Sequence, residues 1–187
     1  MYIASQKRKE NIAEYLLYMW NIEDIIRANG LDIQRIKDNV IDRSNLDEAQ
    51  RKELTEWYES LIDMMRREGV TERGHLQINK NVLSDMVRLH QALLKDPKFP
   101  KYTAEFYRAL PYIVELRSKA GEEKAGEIET CFNALYGMLM LRLQSKEITP
   151  DTANAIKEIS SFIALLAHYY KLDSEDKLFD NDDQPAE

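Results

Sequence analysis

Apolar residues recur along this chain with the pitch of an α-helix almost throughout. Ile12, Tyr15, Leu16, Met19, Ile22 and Ile26 make one wide stripe. It predicts a first helix from Gln6 to Asn29, closed by Gly30 in the left-handed position that ends helices. Leu17 and Trp20 add apolar surface on a second flank. A short helix from Asp32 to Asp42 carries Ile33, Ile36 and Val40. A third is expected to start at Asn45 as N-cap, with Glu48 three residues on, and to run to Glu68 with Leu54, Trp57, Tyr58, Leu61 and Met65 on one face.

A polar link from Gly69 to Gln77 leads to a fourth helix bearing Ile78, Val82, Met86, Leu89 and Leu93, which Pro97 and Pro100 end. The fifth, Thr103 to Lys119, contains Pro111. That ring supplies no N–H and crowds the carbonyl of Tyr107, so a kink or a split near 107–111 is expected. The sixth, Glu122 to Ser145 after Gly121, is apolar nearly all round from Cys131 to Leu143. It has a small-residue stripe of Gly126, Thr130, Asn133 and Gly137, and is the expected central helix. The seventh opens with Thr149 as N-cap and Pro150 at the first helical position, where a missing N–H costs nothing. Its Ile156, Ile159, Ile163, Leu166 and Tyr170 lie at a/d spacing, a seam that could extend to a partner.

No long period-two alternation interrupts this series, which excludes a strand-built scaffold. No repeat of solenoid length and no tetratricopeptide pattern is present. The expected fold is all-α: a single-domain bundle of six or seven helices, mostly antiparallel neighbours, over residues 1–172.

Charge changes the picture only at the end of the chain. The 187 residues hold 26 Lys and Arg against 33 Asp and Glu, a net charge of −7. Residues 173–187 contribute −6 of it, so an acidic, disordered tail follows a nearly neutral body. Without a net basic footprint, binding to nucleic acid is not expected. No apolar run reaches the roughly 18–20 residues of a membrane span, and no basic-then-apolar leader opens the chain. Cys131 is the lone cysteine and sits in an apolar run, the setting of a buried, inert thiol. A cytoplasmic protein is the expectation.

Candidate chemistry is sparse. Glu72 and His75 have the Glu-x-x-His spacing of di-iron bundles, but such sites need two of these motifs and two further carboxylates. Neither His90 nor His168 supplies the second, so no metal site and no cofactor is expected. Phosphate-binding, zinc-protease and nucleophile-elbow motifs are absent, and no residue is assigned a catalytic role. The link from Gly74 to Asn81 is the densest amide-and-imidazole segment, suited either to capping a helix or to holding a ligand's polar group. The ten tyrosines and two tryptophans either fill a polar-edged core or line a pocket between helices. The pocket alternative names Tyr18, Trp57, Tyr58, His75 and Asn79.

Three stretches carry a resemblance: Gln6 to Trp20, Gly74 to Asn81, and Gly126 to Asn133 (Gly-Glu-Ile-Glu-Thr-Cys-Phe-Asn). With them the chain resembles, over residues 1–172, an uncharacterised family of similar length from Bacteroides-type bacteria. The resemblance implies an all-helical bacterial protein and brings no activity, ligand or site residue with it.

Two functions are expected as alternatives. The first is a non-enzymatic helical binding or scaffolding module whose partner is a second copy of itself or another protein. The second is a small-molecule-binding protein or enzyme built on the aromatic pocket.

Overall fold

A computed structural model describes residues 2–119 and 125–178. The expected break at Gly121 and the Glu122 start of the sixth helix lie outside them, as does the acidic segment from 179 on. Among the described residues the fold is all-α: α1 (Tyr2–Glu10), α2 (Ile12–Ala28), α3 (Ile33–Ile36), a π-helical turn (Lys37–Ile41), α4 (Glu48–Arg67), α5 (Gln77–Lys95), α6 (Pro100–Lys119), α7 (Glu127–Leu143) and α8 (Pro150–Ser174).

The count exceeds seven because the expected first helix is two. Asn11 interrupts it, and its side-chain oxygen accepts from the Ala13 N–H at 3.0 Å, capping α2. Beyond α2, Gly30 (φ 68°) and Leu31 (φ 56°) are both left-handed. The Leu31 N–H then reaches back to the Ile26 carbonyl at 3.0 Å, the closure that Gly30 predicts. The short second helix is part α and part π.

The cap of α4 is Asp47, not Asn45. Its carboxylate accepts from the Gln50 N–H at 2.8 Å, while the Gln50 side chain accepts from the Asp47 N–H at 3.1 Å. The reciprocal pair puts the start two residues later than the Asn45–Glu48 spacing suggests.

The described residues form two compact units, 2–9 with Glu14–Val82, and Glu10–Ala13 with 83–119 and 125–178. In the first, the π turn and α3 lie on α4, with Ile36, Ile41, Leu61 and Met65 buried.

In the second, α6, α7 and α8 pack on one another. Tyr102, Phe106, Ala109 and Ile113 of α6 meet a core that includes Phe132, Ile159, Phe162 and Leu166. The Phe106 and Phe162 rings are 5.4 Å apart. His90 joins them, its Nδ1 2.7 Å from the Tyr102 hydroxyl. Burial holds the His90 ring below the usual histidine pKa, with the nearby Glu127 carboxylate opposing the shift.

Several expectations for this unit need correction. Of the kink or split expected near 107–111 the split is absent, since α6 is continuous through Pro111, and it starts at Pro100, where a proline costs nothing because a first-turn N–H has no helical acceptor. α7 starts at Glu127 with Gly126 as N-cap. It is not wrapped all round, since Leu139 and Leu143 are exposed. At the two glycines of its small stripe, Gly126 and Gly137, an added Cβ would meet nothing within 4 Å among the described residues. α8 begins as expected, with Thr149 capping Thr152. It runs two residues past Leu172 before Asp176 turns left-handed at φ 54°.

Candidate functional site

Glu23 lies on the apolar face of α2, one turn from Met19 and Ile26, and is completely buried (0% exposed). A carboxylate there needs donors on both oxygens. Oε1 accepts from the Leu76 N–H at 2.9 Å and from Asn79 Nδ2 at 2.7 Å. Oε2 lies 2.6 Å from His75 Nδ1. A carboxylate oxygen accepts, so Nδ1 carries the hydrogen, and Nε2 takes no part in the contact with Glu23. The imidazole is stacked on Trp20 at 4.1 Å, and the His75 side chain remains 29% exposed.

One turn along, Arg27 treats the same loop in the opposite sense. Its guanidinium donates to the Val70 carbonyl at 3.1 Å and to the Gly74 carbonyl, and it pairs with Asp24 at 2.8 Å. The i, i+4 pair on α2 therefore takes the loop's donors with its acid and its acceptors with its base. The start of α5 is closed the same way. Leu76 has no capping group, so Glu23 satisfies its N–H and Glu68 Oε2 accepts from the Gln77 N–H at 2.6 Å. Asn79, expected in the link, lies instead in the first turn of α5, where its Oδ1 is buried and has no hydrogen-bond partner among the described residues.

The five pocket candidates form two groups. His75 and Asn79 meet through Glu23, a residue the sequence reading passed over. Its signal was legible: an acid at 4-3 spacing between Met19 and Ile26, inside an apolar stripe. Tyr18, Trp57 and Tyr58 are aromatic neighbours. Trp57 sits edge-on to Tyr58 at 5.4 Å. Burial pushes the Tyr58 hydroxyl up to about 12, with Tyr18 adding to the shift, and burial alone raises Tyr18. Neither group lines either of two grooves of the first unit. A groove of about 820 Å³ runs between the π turn and α4, lined by Lys37, Ile41, Arg51 and Thr55 among others. A second, of about 540 Å³, is lined by Leu31, Asp32 and Arg66 among others.

A different surface stands out in the second unit. Pro100, Ala104, Tyr107, Pro111 and Val114 are all exposed, Tyr107 by 62% and Val114 by 56%. Their 4-3-4-3 spacing places them on one face of α6. That face lies opposite the buried line of Tyr102, Phe106, Ala109 and Ile113. The expected seam on α8 has no such freedom, because Ile159, Ile163 and Leu166 are buried in the unit.

A family model matches residues 1–177 of the chain. No curated protein and no solved structure matches it.

Proposed function

The chain belongs to DUF4924, a family described as a domain of unknown function, and from the geometry, not from that membership, we propose that it is a non-enzymatic interaction module whose contact surface is the outer face of α6. One observation carries this reading. α6 has two apolar lines on opposite sides, and one suffices to hold it in its unit. A monomer's exposed apolar side chains are ordinarily scattered singly. Five at heptad spacing on a helix spell a seam for a second helix. The lone buried thiol of Cys131 and the bacterial resemblance support a cytoplasmic setting.

The test is a photo-crosslinking amino acid placed at position 107 in living cells, with position 53, exposed on α4, as control. A discrete adduct from 107, missing at 53 and lost on Val114→Glu, is the expected result. No adduct at 107, or one that survives Val114→Glu unchanged, overturns the reading.

A second reading, a small polar ligand at His75, is favoured by Nε2 on a ring fixed by Glu23 and Trp20. Its test is a chemical-shift titration of the ring Nε2 resonance with metabolite mixtures. A resonance that no mixture moves ends it.

A further inference from the structure

We propose that the partner of α6 is a second copy of α6 laid antiparallel across it, an inference that rests on the reading of this face as a contact surface. The seam is flanked on one edge by Lys101, Arg108 and Glu115, one residue after Pro100, Tyr107 and Val114. Basic charge thus stands at the N-terminal end of this edge, and at the C-terminal end stands an acid, Glu115, that already meets Lys119 of its own helix at 2.6 Å.

Antiparallel helices bring the same edge of each copy together, running in opposite directions. Lys101 of each copy then faces Glu115 of the other, so the pair forms twice about one two-fold axis. A parallel arrangement sets this edge against Thr103, Leu110 and Arg117, which offers the two cations no acid. Arg108 falls near the axis. Its own Glu105, at 2.8 Å, keeps the two guanidinium groups from meeting as bare like charges.

Shape points the same way. In the antiparallel register Tyr107 covers Pro111 of the other copy, ring on ring, and Ala104 lies opposite Val114, small against branched. The contact spans about 21 Å of helix at 1.5 Å per residue. With five seam residues per copy it falls below the size of a standard stable interface, which puts the pairing in the weak, reversible class. The ion pairs set its direction more than its strength, since exposed pairs contribute little.

Sedimentation velocity of the full chain over a concentration series tests this. A monomer–dimer equilibrium in the range of about 10–100 μM is expected for so small an interface. Tyr107→Glu, at an exposed position that leaves the fold intact by circular dichroism, abolishes it. Lys101→Glu weakens it about three- to tenfold. The double change Lys101→Glu, Glu115→Lys recovers the original affinity to within about twofold, because the two charges exchange places across the axis.

A chain that stays monomeric, a dimer indifferent to Tyr107→Glu, or a double variant weaker than Lys101→Glu alone overturns the proposal. If the chain is monomeric yet position 107 crosslinks in cells to a polypeptide of different mass, only self-pairing falls. If position 107 gives no adduct at all, the contact surface falls with it.

Discussion

The imidazole of His75 lies flat on the indole of Trp20, with ring centroids 4.1 Å apart and planes inclined by 11°. Trp20 and Glu23 are one turn apart on α2, so one helix face supplies both the surface under the ring and the acceptor for its Nδ1–H. Two constraints on one side chain leave little freedom, and the loop before α5 is held through it.

Loss of the carboxylate therefore unlocks more than one bond. Glu23→Ala leaves the Leu76 N–H and the Asn79 amide without their acceptor in a buried site, and releases the part-exposed His75 ring. Each orphaned buried group costs about 1–3 kcal/mol, so a loss of about 2 kcal/mol or more in unfolding free energy is expected. Glu23→Gln keeps one accepting oxygen for Leu76 and Asn79 and loses less. Urea unfolding of both variants checks the order. Equal stability of Glu23→Ala and the parent chain would show that these bonds hold nothing.

His90 makes the second unit acid-sensitive. Its folded pKa lies below the unfolded value of 6.5, because burial disfavours the charged ring, and Glu127 only partly offsets this. The unfolded chain then binds a proton more readily than the folded one. Stability is full above pH about 6.5 and falls as the pH drops through that value toward the lower folded pKa. Protonation of Nδ1 keeps the 2.7 Å contact, with Nδ1–H donating to the Tyr102 hydroxyl, so the cost is that of placing the charge on a buried ring. Melting curves of the parent and of His90→Gln between pH 7 and 5 measure the effect, and the variant is expected to show the shallower slope. Parallel slopes count against it.

Local signals were legible wherever a few adjacent residues decide the structure. Gly30, Gly69 and the Thr149–Pro150 start mark helix ends through backbone chemistry that needs no distant partner. Asn11 was hidden because the apolar stripe runs across it, although Asn11-x-x-Glu14 is itself a capping pattern. His75 and Asn79 could be singled out as polar residues in a link, but their common partner lies more than fifty positions earlier. Periodicity reads Glu23 only as a flaw in a stripe. The two faces of α6 illustrate the same limit. Both lines are apolar in the sequence, and only packing decides which of them is covered.

Cys131 gives a sharp negative expectation. Burial pushes its thiol up to about 12, with Glu127 adding to the shift, and the residue is fully enclosed. At pH 8 the thiolate that reacts with disulfide reagents is therefore scarce in the folded chain. Ellman's reagent added to the folded chain should release no colour over an hour, and one equivalent after addition of guanidinium. Prompt reaction under native conditions would show that the α7 thiol is reached without unfolding.

Pro111 gives the last expectation, and it opposes stability to assembly. Within α6 it supplies no N–H to the Tyr107 carbonyl, an omission that costs up to about 3 kcal/mol in a helix interior. Its ring is exposed on the outer face, so little packing inside the unit repays that cost. Pro111→Ala restores the hydrogen bond and removes the clash, and an increase of about 1–3 kcal/mol in unfolding free energy is expected. The same change removes the flat ring that Tyr107 of a second copy is proposed to cover, so self-association should weaken while the fold gains. Differential scanning calorimetry and sedimentation velocity on one preparation separate the two effects. A variant that is both less stable and still dimeric would mean that Pro111 serves the packing of its own unit, not the face it presents to solvent.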